Sequence, residues 1–132
     1  MQNELDMEVV DWLQSQRLAP YTFYRLRETG LITDLPQATQ TILQSSFYAA
    51  AAYHTILTIE LEALLAALHR LGVDPIILKG MALGVTLYPV PNARPTSDLD
   101  LLVEREQMKA VRQVLAERKY CDMGLDPEHH RA

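Results

Sequence analysis

The spacing of apolar residues along the sequence changes at Gly72, and this change constrains the fold more than any other single feature. Before Gly72, apolar residues recur every three or four positions, whereas after it short apolar runs alternate with turn residues. The first pattern is typical of amphipathic helices, and the second is typical of strands that alternate with helices. The chain is therefore predicted to combine a helical N-terminal region, residues 1–72, with a second region of mixed structure, residues 73–132.

Three helices are predicted in the N-terminal region. The first ends before Pro20, and the second covers residues 21–28 and closes at Gly30. The third is long, from about residue 34 to residue 71, because a leucine stripe at helical spacing runs through its second half: Leu57, Leu61, Leu64, Leu65 and Leu68. Together these helices predict a bundle.

The second region is predicted to contain strands as well as helices. Residues 75–78 form an apolar run typical of a buried strand, a short helix follows as far as residue 88, and three prolines then predict a loop up to residue 96. Residues 97–104 predict a second strand, residues 105–119 a helix, and residues 120–125 the start of a third strand. The predicted fold class is α+β with an α/β-like texture: a helical bundle followed by a minimal αβαβ core with a small mixed sheet. We expect this core to be incomplete at its C-terminal end.

Composition and charge narrow the classes of function. Hydrophobic residues make up 48% of the 132 residues, which is enough to form a packed core and excludes a disordered chain. The net charge of −5 disfavours a general nucleic-acid interface, which needs a basic face. Cys121 is the only cysteine, so no internal disulfide can form. With an acidic N-terminus and no predicted membrane span, the sequence indicates a soluble cytoplasmic protein.

Two aspartates, Asp98 and Asp100, are the candidate catalytic and metal-binding residues. On a strand, residues two apart project to the same face, so both carboxylates would point together while Leu99 and Leu101 enter the core. Neighbouring carboxylates repel each other unless a cation lies between them, and Mg²⁺ is commonly held by one or two carboxylates together with substrate phosphates. The alternative is a strand end that carries two solvated acids.

Four further residues are candidates for binding phosphate. Lys79 and Gly80 lie at a predicted strand-to-helix junction, where a glycine lets a ligand approach the backbone and the helix N-terminus attracts anions. Arg94, in the proline-rich loop, could form a fork with a triphosphate, and Ser97 could hydrogen-bond phosphate. The alternatives are a plain tight turn at Lys79–Gly80, a surface ion pair for Arg94 and an ordinary strand start at Ser97.

The order and spacing of these motifs resemble a bacterial family of mostly uncharacterised proteins with the nucleotidyltransferase fold, related in plan to DNA polymerase beta. The resemblance runs from about Ile76 to Tyr120, roughly a third of the chain, and rests on Leu78 to Leu83, Tyr88-Pro89, Arg94 and Ser97 to Val103. It implies that a glycine motif opens a helix, that an acidic pair on the next strand binds metal and that a third acidic residue stands on a later strand.

The sequence departs from that superfamily pattern at two places. Gly80 is followed by Met81 rather than by glycine or serine, so we expect Lys79 to take over part of the phosphate contact. Asp122 and Asp126 are the only late aspartates, and neither has a secure match to the third acidic position.

Two functions follow from these residues and from the resemblance. One is metal-dependent transfer of a nucleoside monophosphate from a nucleoside triphosphate to an unknown acceptor, with Mg²⁺ or Mn²⁺ held by Asp98 and Asp100. The other is a catalytically inactive nucleotidyltransferase-like module that binds nucleotide or a protein partner. The free edge of a small sheet further predicts that a partner covers it, or a second copy of the chain in a homo-oligomer.

Overall fold

A computed structural model of the chain describes residues 2–123. In this part of the chain, helices dominate, and the strands and 3-10 turns are short. In order, the elements are α1 (Gln2–Ser15), α2 (Ala19–Glu28), a 3-10 turn (Leu31–Asp34), α3 (Gln37–His69), β1 (Ile76–Leu78), α4 (Lys79–Thr86), a 3-10 turn (Pro91–Ala93), β2 (Asp100–Leu102), a 3-10 turn (Arg105–Gln107) and α5 (Met108–Glu117). The predicted α+β class is confirmed.

The helix ends follow from local chemistry. Pro20 lies in the first turn of α2, where its missing N–H costs no helical hydrogen bond. Gly30 and Gly72 both adopt the left-handed conformation, with φ of 75° and 72°, directly after a helix. At Gly72, the N–H of Val73 donates to the carbonyl of Leu68 at 3.1 Å and closes α3. The predicted helix boundaries around these residues are confirmed.

The sheet is smaller and simpler than predicted. Strands β1 and β2 pair antiparallel, with Ile76 opposite Leu102 and Leu78 opposite Asp100. The predicted mixed sheet is therefore wrong within residues 2–123, and β2 is three residues long rather than the predicted eight. Because β1 offers only three residues before α4 begins, it does not pair with residues 97–99, which form a loop. Residues 120–123 form no strand, and the rest of the predicted third strand lies outside the described residues.

Helix α3 contributes to two hydrophobic cores. Its first half packs with α2 around Ala19, Phe23 and Leu43. Its last turns pack with α5 and the sheet around a second set of buried residues: Leu64, Leu68, Val73 and Val114. Leu64 and Leu68 of the predicted leucine stripe thus belong to the second core, and α3 holds the helical region against the region that follows Gly72.

Length and composition alone would also allow α3 to cross a membrane, which differs from the prediction that no stretch of the sequence is long and apolar enough. Its 33 residues include a window of mean hydropathy 1.3, and 17% of that window is buried. The same helix nevertheless contacts α1, α2, α5 and the turn Pro91–Ala93, and Glu60 on it forms an ion pair with Arg118. Helix α3 therefore has a mostly exposed apolar window and also supplies buried residues to both hydrophobic cores.

Candidate functional site

A cleft of about 310 Å³ brings together all six residues predicted from the sequence. Its walls are the link between α1 and α2, the start of α4, the proline-rich loop and the start of β2. The predicted residues that line it are Lys79, Gly80, Arg94, Ser97, Asp98 and Asp100. We call it the Asp98–Asp100 cleft.

The two aspartates reach the cleft from different backbone environments. Asp100 begins β2, where the ladder with Leu78 holds its backbone. Asp98 precedes the strand and is exposed in the loop, so the prediction that it lies within β2 is wrong. Both residues nevertheless line the same cleft, although strand pairing holds only one of them.

Lys79 neutralises Asp100 across the sheet. Because Leu78 pairs with Asp100, the next residue along the chain is brought over the carboxylate, and Lys79 Nζ lies 3.3 Å from Asp100 Oδ1. The Lys79 side chain is 70% exposed, so its ammonium group can move in solvent, whereas the Asp100 side chain is half-buried, with 29% exposed. Lys79 also has a φ of 49°, a left-handed value that is uncommon outside glycine.

Gly80 is explained by a neighbouring loop. A Cβ placed at Gly80 would lie 2.5 Å from Thr96 Cγ2, 2.7 Å from Thr96 Oγ1 and 3.1 Å from Arg94 Nη1. The missing side chain therefore admits the proline-rich loop, which carries Arg94 against the start of α4. Sequence reasoning gave a different reason, the approach of a ligand to the backbone.

Arg17 is a cleft residue that sequence reasoning missed. It lies in the link between α1 and α2, and its Nη1 donates to Ser97 Oγ at 3.4 Å, with 80 positions between the two residues in the sequence. Gln16 and Leu18, on either side of it, also line the cleft. The N-terminal region carries no local motif that signals this role, because the contact depends on how α1 and α2 pack on the second region.

The cleft carries more positive than negative charge. Three basic side chains, those of Arg17, Lys79 and Arg94, face two acidic ones, a formal charge of +1 in a chain whose net charge is −5. The balance of charge that lines a cleft determines which ligands its field concentrates, and here that balance is positive by one unit. The lining therefore favours an anionic ligand. A larger depression nearby, about 490 Å³, shares Ser97 and Asp98 but is lined mainly by apolar side chains.

The donor set suits a hard divalent cation only in combination with a ligand. Within residues 2–123, His, Cys, Asp and Glu form no group of three or more that could hold a metal ion. Two carboxylates side by side fit the way Mg²⁺ is held, by one or two carboxylates together with phosphate oxygens. Of the candidates for a third carboxylate, Asp122 does not line the cleft, and Asp126 lies outside the described residues.

Comparison with known proteins assigns the chain to a family. Residues 4–132 match a family described as uncharacterised nucleotidyltransferases, so the match extends over the helical region as well as the cleft. A search of curated proteins found no match, and neither did a search of solved structures. The match indicates a general role in nucleotidyl transfer, and on this basis the chain belongs to that family of uncharacterised nucleotidyltransferases.

Proposed function

We propose that the Asp98–Asp100 cleft binds a nucleoside triphosphate together with Mg²⁺ or Mn²⁺ and transfers its nucleoside monophosphate to an acceptor. The observation that supports this most is the convergence in one cleft of an acidic pair and three basic side chains. In such a transfer, an acceptor oxygen forms a bond to the α-phosphorus while the bond to the β-phosphate breaks and pyrophosphate leaves.

Each side chain has a distinct task in this proposal. Asp98 and Asp100 would hold the metal, which supplies charge neutralisation at the attacking and leaving oxygens. Lys79 forms an ion pair with Asp100 in the free protein. Its ammonium group would move to a phosphate oxygen when the cation and the triphosphate bind. Arg94 would bind phosphate through its guanidinium fork, and Ser97 would donate a hydroxyl hydrogen bond. Catalysis of this kind depends on positioning and electrostatic stabilisation.

A second candidate function is that of a module that binds nucleotide without turning it over. Its specific support is that the described residues bring only two carboxylates to the cleft. In the resemblance described above, a third acidic residue completes the site. The two candidates share the binding site, so binding is the first property to measure.

The test is isothermal titration of ATP, GTP, CTP and UTP into the protein, with and without Mg²⁺. We expect Mg²⁺-dependent binding in the wild type and its loss in an Asp98→Asn/Asp100→Asn double variant. A matched control, Glu28→Gln/Asp34→Asn, removes the same charge from exposed acids outside the cleft and should bind like the wild type. Unchanged binding in a folded double asparagine variant would remove the metal role and favour the inactive module.

A further inference from the structure

Arg17 occupies a backbone position that usually holds glycine. It follows α1 with a φ of 59°. Its N–H donates to the carbonyl of Gln14 at 3.0 Å, and the N–H of Leu18 donates to the carbonyl of Leu13 at 2.8 Å. This pair of bonds is the Schellman motif, whose left-handed position is most often glycine, as it is at Gly72. The chain therefore places a cation where the local backbone favours glycine.

Arg17 lines the same cleft as the acidic pair, Asp98 and Asp100. Its Nη1 contacts Ser97, which directly precedes Asp98. Among the side chains that the structure describes, those of residues 7–123, no carboxylate forms an ion pair with Arg17, whereas Lys79 is paired with Asp100. Within the described residues, the one hydrogen bond from the Arg17 side chain is long, at 3.4 Å, and the guanidinium has further N–H groups to donate. A guanidinium that is held at the cleft by one long hydrogen bond is available to bind an anion.

We propose that Arg17 is a third cationic contact for the triphosphate, supplied by the helical region rather than by the motif-bearing region. The proposal rests on the function proposed above and deepens it: the bound polyphosphate would bridge the α1–α2 link and the start of α4. A planar guanidinium matches two phosphate oxygens at once, which a lysine in the same place would not. The N-terminal helices would thereby form part of the nucleotide site.

The chain contains a close control for this residue. Lys119 follows α5 with a φ of 64°, and its N–H and that of Tyr120 form the same pair of bonds to Ala116 and Leu115. Lys119 is exposed and does not line the cleft. Arg17→Gly and Lys119→Gly therefore remove the same charge from the same backbone conformation, and glycine relieves the left-handed strain in both. Neither change should lower the thermal midpoint.

The experiment titrates ATP, GTP, CTP and UTP with Mg²⁺, and the corresponding monophosphates, into the wild type, Arg17→Gly, Arg17→Lys and Lys119→Gly. We expect Arg17→Gly to weaken triphosphate binding by about tenfold or more, the scale of a charged hydrogen bond, and monophosphate binding by less. Arg17→Lys should recover only part of this loss, and Lys119→Gly should bind like the wild type.

The two proposals fail in different ways. Equal triphosphate affinity for the wild type and Arg17→Gly would overturn the role of Arg17 and leave the proposed function standing. An equal loss in Arg17→Gly and Lys119→Gly would show a general charge effect and would also overturn it. Failure of the folded wild type to bind any of the four triphosphates would overturn the proposed function, and the role of Arg17 with it.

Discussion

Gly80 and Thr96 touch where α4 meets the proline-rich loop, and this contact controls the position of Arg94. Because the space for a side chain at Gly80 is filled by Thr96 and by Arg94 Nη1, a methyl group there must displace one of them. Thr96 is tied locally, since its Oγ1 donates to the carbonyl of Arg94 at 3.4 Å. A single missing side chain thus supports the geometry of a residue 14 positions away.

We expect Gly80→Ala to lower the free energy of unfolding by about 1–3 kcal/mol, the usual cost of overpacking. Triphosphate affinity should fall as well, because the displaced loop carries Arg94. Chemical denaturation and calorimetric titration would measure the two effects. The double variant Gly80→Ala/Thr96→Ser removes the methyl group that would clash and should recover part of both. An unchanged unfolding midpoint in Gly80→Ala would contradict the close contact.

At the scale of elements, a polar cluster joins α3 to the segment that follows α5. Glu60 Oε1 accepts from Arg118 Nη2 at 2.8 Å, from Arg118 Nε at 3.2 Å and from the Tyr120 hydroxyl at 2.7 Å. The hydrogen bond from Tyr120, followed by those from Arg118, lowers the pKa of the Glu60 carboxyl below its usual value of 4.5. Partial burial, followed by the bond to Glu60, raises the pKa of the Tyr120 phenol above 10.0.

These two shifts predict opposite limits of pH stability. The contribution of Glu60 is fully present above about pH 4.5 and is lost as the pH falls through the lower pKa of the folded protein. The contribution of Tyr120 is fully present below about pH 10.0 and is lost as the pH rises through its higher folded pKa. Thermal unfolding measured from acid to alkaline pH should therefore show a decline at each end.

Tyr120→Phe tests this dependence. It removes the phenol and leaves Glu60 with Arg118 alone, so the alkaline decline should weaken and the acid decline should become smaller. Tyr24→Phe, a change of the same kind in a tyrosine outside the cluster, should leave the profile of the wild type. A profile for Tyr120→Phe that matches the wild type at both ends would show that the cluster does not link pH to stability.

At the scale of the whole molecule, the sheet exposes apolar residues beside its free edges. Within the described part of the chain the sheet has two strands, so each strand has one unpaired edge. Ile76 and Leu102 lie opposite each other in the ladder and are 60% and 53% exposed. Unpaired edges with apolar side chains favour pairing with another chain. The homo-oligomer expected from the sequence remains a proposal with this structural support.

We expect self-association that rises with protein concentration, measured by sedimentation velocity, and we expect Leu102→Lys to weaken it. Val85→Lys, a charge of the same sign at an exposed apolar position of α4, is the matched control and should leave association unchanged. A wild-type protein that stays monomeric at all concentrations would contradict the prediction.

Sequence reasoning identified most helices and strands and six of the residues that line the cleft, because both depend on local patterns. The leucine stripe predicted α3, and the glycines predicted where α2 and α3 end. The motif residues also lie in one cleft. Leu78 pairs with Asp100 in the three-residue ladder, and this pairing brings Lys79 and Gly80 beside the acidic pair. Periodicity and turn chemistry act over a few residues, and the sequence displays them directly.

Tertiary structure alone decided the features that depend on distant partners. The length of β2 follows from the three residues that β1 offers, and the reason for Gly80 follows from Thr96 in another element. Arg17 joins the cleft across a sequence separation of 80 because α2 packs on the turn Pro91–Ala93 of the proline-rich loop. The physical reason is the same in each case: a contact between distant segments depends on the packing of whole elements, which no local pattern of residues records.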